Sequence, residues 1–286
     1  MKHYLSVIKP GIVFANLFTF ITGFFMAAYN NITPNIDLLA WSSLAIVLIL
    51  ASSTTLNNYI DQDIDQYMAR THNRPSISGA ISNKCMVYYA TLLGVLGTLI
   101  LIIFVNWLTF FIILIGYLIY IILYSIYAKR KTSYSTIIGS LAGGILPLAG
   151  YTSFSNQLDL QGIILFLIIL TWQMPHFYAI GIFRLQDYQA AGIPILPVTT
   201  SIKNTQIHIV VWCLIFIIVT ILPFAFGYSS YLYLVTAVIC SIFWTYISYK
   251  GLFALDVIQS ARKVFFTSLV VLILLFFSLM IDKILI

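Results

Sequence analysis

The sequence predicts an all-α fold, a polytopic membrane protein of about nine transmembrane helices. Three observations carry that prediction. Only 8% of the 286 residues are charged while 61% are hydrophobic, and the mean hydropathy is +1.02. Apolar runs of about twenty residues, the length that crosses a hydrocarbon core, recur from one end to the other. A soluble domain of this size needs far more polar surface.

The runs place spans near 11–29, 37–56, 85–105, 108–128, 136–154, 160–182, 207–227, 230–248 and 264–284, in one membrane domain over 1–286 with no soluble one. Lys2 and Lys9 precede the first run as in a signal peptide. No small-residue cleavage site follows, and Phe14, Phe18, Phe20, Phe24 and Phe25 crowd it, so it reads as a retained span. The third and fourth runs meet at Asn106, and the seventh and eighth at GYSS, which predicts two helical hairpins. In the fifth run Gly139, Gly143 and Gly144 predict close helix packing, and Pro147 predicts a kink. Cys85, Cys213 and Cys240 show no CxxC spacing and read as small buried hydrophobes.

The net charge of +6 carries orientation rather than a polyanionic partner, so no nucleic acid is expected. With the N-terminus in the cytoplasm, thirteen basic residues fall in inner loops and only Lys283 falls outside, the asymmetry of positive-inside sorting. This predicts a multi-pass protein of the cell's cytoplasmic (inner) membrane with its C-terminus outside. The outer loops, such as YNNITPN, are short and plain. The inner loops 57–84 and 183–206 are long and polar, and such loops carry function in compact membrane proteins. Each follows an inward-running span, and four spans separate them, as in two parallel four-helix halves with a ninth helix added.

All eight acidic residues are Asp, and three sit in NNYIDQDID, residues 57–65. If the second helix continues through this stretch, Asn57, Asp61 and Asp65 stand at i, i+4 and i+8 on one face, Asn58 flanks them, and Asp63 points away as an ordinary solvated charge. Carboxylates at a helix C-terminus repel one another and the local dipole unless a cation intervenes. Oxygen ligands without His or Cys favour Mg²⁺, which takes one or two carboxylates and completes its shell with substrate phosphates. Arg70, Arg74, Lys84, Lys129, Arg130 and Lys131 lie on the same side. Acid stripe, metal and bases together describe a diphosphate site. The second polar segment brings His176, Tyr178, Arg184 and Asp187 within a few turns, then a strip bracketed by Pro194 and Pro197 that reads as a lid or a turn.

These residues resemble the UbiA superfamily of intramembrane prenyltransferases. Asn57, Asn58, Asp61 and Asp65 stand at the positions of its NDxxDxxxD motif, with Asn58 where many members have Asp, and Met68, Arg70, Thr71, Arg74 and Pro75 follow in register. Most members carry a second DxxxD pair; this chain keeps Asp187 and has Phe183 at the other position. The segment WQMPHFYAIGIFRLQDYQAAGIPILPV is similar to the branch of the superfamily that farnesylates haem, as are IKPGIVFANL, YSIYAKRKTSYSTIIGSLAGGILPLAGY and ARKVFFTSL.

The resemblance implies Mg²⁺-dependent transfer of farnesyl from farnesyl diphosphate to a vinyl group of haem B, with water added to give haem O. Asp61 and Asp65, helped by Asn57 and Asn58, would hold the metal. Arg70, Arg74 and Lys131 would steady the departing diphosphate, with Asp187 also in the catalytic set. Arg184 would pair haem propionates, beside Tyr178, and His176 would approach the iron or order the water. His72 is a weaker candidate. Haem B enters as a substrate, and a haem A synthase or the terminal-oxidase assembly machinery are candidate partners. A quinone-precursor or other tetrapyrrole prenyltransferase is the nearest rival. A cation-coupled secondary transporter is the rival of another class, disfavoured because transporters place ionisable groups near the midplane.

Overall fold

The computed structural model describes residues 2–28 and 35–285, with side chains as far as Asp282. Residues 29–34 of the first outer loop and the side chain of Lys283 lie outside the described residues. Among the described residues, nine helices are long and apolar enough to cross a membrane, and no strand occurs. The helices are α1 Lys2–Val7, α2 Pro10–Ala27, α3 Ile36–Ile60, α4 Gln62–Asp65, α5 Asn83–Ile100, α6 Trp107–Leu118, α7 Lys129–Lys131, α8 Ser135–Ser155, α9 Leu160–Phe183, α10 Leu185–Ala190, α11 Leu196–Thr199, α12 Ile202–Ala225, α13 Tyr231–Gly251 and α14 Val257–Leu285. Two stretches wind as π-helix, Leu101–Val105 after α5 and Ile119–Ala128 after α6.

Side-chain caps extend several spans beyond the apolar windows. Asn35, Ser82, Asn106, Asp159, Ser201 and Ser230 each accept a backbone N–H at the start of the helix that follows, satisfying donors that the helix itself leaves without a partner. The seventh span therefore begins at Ile202 instead of 207. The ninth begins at Val257 instead of 264, where Asp256 accepts the Gln259 N–H at 2.9 Å.

Two apolar cores form. One joins α2, α3, α6 and α8 around Phe20, Ile46, Ile113 and Leu146. The other joins α9, α12, α13 and α14 around Phe216, Trp244 and Phe276. The seventh and eighth spans pair along their length as a hairpin. The third and fourth share the Asn106 turn but then diverge, α5 lying against α3 and α6 against α8. Gly97 explains the first of these contacts, since a Cβ there would meet the Ala45 carbonyl at 2.8 Å.

The glycines of the fifth span do pack closely: a Cβ on Gly139 would touch the Tyr124 ring at 3.1 Å, and one on Gly144 the Phe166 ring at 3.0 Å. The tightest approach lies further along α8. A Cβ on Gly150 would sit 1.9 Å from the Phe20 carbonyl oxygen, and one on Gly23 would sit 2.0 Å from that of Pro147. Two backbones thus meet through reciprocal glycines, and α8 runs on through Pro147.

Candidate active site

The final turns of α3 carry polar side chains into the bundle without leaving their hydroxyls idle. Ser53 and Thr55 donate to the carbonyls of Leu50 and Ala51, and Thr54 donates to Ile8 and Leu50. The helix does not continue unbroken through the motif. It stops at Ile60, because the Ile60 carbonyl accepts Arg130 Nη2 at 2.8 Å while the Ile64 N–H turns to Asp61.

The facing of the motif survives the break. Asp61 N donates to Asn57 O at 2.9 Å and Asp65 N to Asp61 O at 2.8 Å, which keeps Asn57, Asp61 and Asp65 along one wall. Asp61 and Asp65 are each 1% exposed, whereas the Asp63 side chain is 61% exposed and pairs with Arg130. The Arg130 hydrogen bond holds the Asp63 carboxyl below its ordinary range.

Three bases meet this stripe. Lys129 Nζ donates to Asp61 Oδ2 at 2.5 Å, Lys9 Nζ donates to Asn57 Oδ1 at 2.7 Å, and Arg74 pairs with Asp65. Asn57 Nδ2 donates to Asp61 Oδ2 at 2.8 Å and Ser125 Oγ at 3.1 Å. Burying two carboxylates this deeply is tolerable only with such partners. Lys9 occupies a left-handed conformation, φ 50°, just ahead of Pro10, and that turn aims its amine inward. Enclosure of the amine, reinforced by nearby Arg74, lowers its pKa to about 7.

The stripe closes one end of a cavity of about 890 Å³, a volume suited to a sizeable ligand. Asn57, Asp61, Asp65, Lys9, Arg70, Arg74 and Lys129 line that end, with Tyr120 and Tyr124 beside them. Apolar wall from α3, α6 and α8 follows (Ile46, Ile49, Ile113, Ile145 and Leu146), and Arg184, Arg262, Phe265 and Phe266 stand on the side formed by α9 and α14.

The two polar loops close on each other. Asp187 Oδ1 accepts the Ala69 N–H at 3.0 Å, and Ile64 and Met68 pack with Ile193 and Ile195 in a small apolar cluster. The proline-bracketed strip therefore lies over α4, and Ile193, Ile195 and Pro197 face the cavity.

Of the residues singled out from the sequence, Asn57, Asp61, Asp65, Arg70, Arg74, Tyr178 and Arg184 line the cavity; Asn58, Lys131, His176 and Asp187 do not. Asn58 Nδ2 donates to the Val7 carbonyl at 2.6 Å, anchoring the N-terminal segment from behind. Lys131 lies 5.0 Å from the Tyr127 ring centroid. His176 Nδ1 is 2.7 Å from Ser268 Oγ, with its ring stacked on Trp172 and tilted against Phe265, so it ties α9 to α14. His72 is exposed and bonds the Ala69 carbonyl.

Sequence reasoning missed Lys9, Tyr120, Tyr124, Gln173 and Arg262 on the cavity wall, and it named Lys129 among the nearby bases but gave the catalytic role to Lys131. The run of three bases at 129–131 was visible, but the π-helical turns before it rotate the register, so a 3.6-residue period cannot tell which base faces inward.

The donor set fits a hard divalent ion. Asp61 Oδ1 is buried without a hydrogen-bond partner, and Asp65 and the Asn57 carbonyl stand on the same wall. No cluster of three or more His, Cys, Asp or Glu capable of holding a metal alone occurs among the described residues.

The profile of the UbiA prenyltransferase family matches residues 16–279. A protoheme IX farnesyltransferase of Yersinia pseudotuberculosis serotype O:1b is 43% identical over 270 residues, covering 94% of this chain and 91% of the relative. One of Cronobacter sakazakii is 42% identical over the same shares. Among solved structures, a digeranylgeranylglyceryl phosphate synthase superposes with a TM-score of 0.82 at 20% identity, over 100% of this chain and 99% of the other. A UbiA homolog from Archaeoglobus fulgidus bound to GPP and Mg²⁺ superposes at 0.71 and 16% identity, over 97% and 99%. The apolar helices of the described residues around a buried acid-and-base cavity, a family match over residues 16–279 and relatives 43% identical agree: the chain belongs to the UbiA prenyltransferase family.

Proposed function

We propose that this membrane prenyltransferase moves the farnesyl group of farnesyl diphosphate onto a vinyl group of haem B and adds water, giving haem O for terminal oxidases. The observation that carries the reading is the buried wall of Asn57, Asp61 and Asp65, each residue paired with a base, at the end of an apolar cavity. The acceptor is read from the relatives named protoheme IX farnesyltransferase.

Mg²⁺ held by Asp61, Asp65 and Asn57 would neutralise diphosphate charge. When donor binds, Lys9, Lys129 and Arg74 turn from the wall to the phosphate oxygens, joined by Arg70. These bases hold the charge that gathers on the leaving group as the C–O bond ionises. Tyr120 and Tyr124 offer π faces to the allylic cation, and the apolar wall excludes stray water. Arg184 and Arg262 flank the α9–α14 side, where guanidinium groups pair propionates. Asp187 acts by clasping the two loops. The site would face the cytoplasm from the inner membrane, with the chain acting as one catalytic unit that passes its product to a haem A synthase or oxidase-assembly partner.

Purified protein given farnesyl diphosphate, haem B and Mg²⁺ is expected to form a product with the mass of haem O, and EDTA to stop it. Prenylation of a hydroxybenzoate with no haem product would replace this reading by the quinone-precursor one. Lys129→Ala is expected to lower kcat/KM about 100-fold, as loss of a transition-state charge partner does. Lys131→Ala should stay within about threefold, the ordinary range for a surface change. Parallel steady-state kinetics on the two variants check this.

A further inference from the structure

Gln173 lines the cavity, and nothing derived so far uses its amide. It sits in the interior of α9, 7% exposed, and its Oε1 is buried with no hydrogen-bond partner in the protein. A bare carbonyl oxygen deep in a membrane helix is costly, and interiors normally supply a donor. Here the fold makes room for the group instead. Gly143 faces it, and a Cβ there would come within 2.0 Å of Nε2 and 2.7 Å of Oε1.

Its depth is also defined. Gly143 lies four residues, about one helical turn, beyond Gly139, which abuts the Tyr124 ring. The amide therefore stands one turn further into the bundle than the tyrosines that flank the acid stripe, with Phe177 also on the wall.

We infer that Gln173 positions the water that ends the reaction, an inference resting on the proposed haem farnesylation. The electron count shows why such a group is needed. The farnesyl C1–O bond breaks and its pair leaves with diphosphate. The π pair of the vinyl group then forms the new C–C bond to C1, leaving a cation on the vinyl carbon next to the macrocycle. Two fates compete there. A water lone pair forms the C–O bond and the oxonium passes its proton to diphosphate, or the cation loses a carbon-bound proton and becomes an alkene. Hydration wins only if a water is held before elimination occurs. Gln173 Oε1 accepts one O–H of that water and leaves an oxygen lone pair free for the cation. His176, three residues on, is turned to Ser268 and is not on the cavity wall.

Gln173→Leu separates this role from a packing role, because its readout is the ratio of products. With farnesyl diphosphate affinity measured alongside, the variant should raise the ratio of dehydrated to hydroxylated prenyl-haem, resolved by mass, about tenfold or more, the equivalent of one lost hydrogen bond. Gln173→Glu keeps an acceptor oxygen at the same reach and should keep the hydroxylated product dominant. If Gln173→Leu does not accumulate, Gly143→Ala crowds the same amide and should shift the ratio in the same direction. A wild-type product ratio in whichever of these two variants is active overturns the assignment while leaving farnesyl transfer standing. Absence of any prenyl-haem from the wild type overturns both.

Discussion

Asp61→Asn and Asp65→Asn are each expected to lower kcat/KM by about 1,000-fold or more, with Asp63→Asn within about threefold of wild type. The three residues share one short stretch and one chemistry, so only their placement separates them. Asp61 and Asp65 are buried on the cavity wall, and each grips a base that a bound diphosphate would claim. An amide in either place leaves Lys129 or Arg74 without its counter-ion and, on the proposed mechanism, would remove a charge that holds the metal. Asp63 faces outward to Arg130, where an exposed pair contributes little. Steady-state kinetics at saturating Mg²⁺ would show it, and equal losses at all three positions would refute the placement.

Gly150→Ala is expected to destabilise the folded bundle by at least about 3 kcal/mol, the upper range for overpacking a closed contact. The added methyl would lie 1.9 Å from the Phe20 carbonyl oxygen, 2.8 Å from its carbon and 3.0 Å from the Phe24 nitrogen. All three are backbone atoms of α2, so no side chain can swing aside. Gly11→Ala makes the control, since nothing lies within 4 Å of a Cβ there. Thermal unfolding in detergent should separate the pair clearly; equal midpoints would mean that α2 and α8 are free to part.

Much of this architecture was legible in the sequence because membrane spans advertise themselves. Length and hydropathy located the nine long apolar helices of the described residues, and a four-residue period put Asp61 and Asp65 together even though the helix is interrupted at Asp61. What stayed hidden depended on long-range geometry. Nothing local announces that the Ile60 carbonyl will be taken by Arg130, or that α5 leaves α6 for α3. Lys9 lay beside a plain apolar run, and only a left-handed turn delivers it to Asn57. Gln173 sat among Trp172, Met174 and His176 with no periodicity to mark it, and its exposure to the cavity depends on a glycine thirty residues away. His176 drew attention as a lone imidazole in an oily helix. It serves the commoner purpose, a hydrogen bond to a neighbouring helix.

The pairing of Asn57, Asp61 and Asp65 each with a resident base bears on how the enzyme waits between turnovers. A cluster of buried anions without counter-charges would strain the resting protein and compel it to retain a divalent ion permanently. Because Lys129 and Arg74 already balance Asp61 and Asp65, a divalent ion bound there, as the proposed mechanism requires, would have no structural duty and would arrive and depart with each diphosphate. On that mechanism, loading would be an exchange of salt links at nearly constant local charge. Inside a low-dielectric bundle, that is the least costly way to admit a highly charged headgroup.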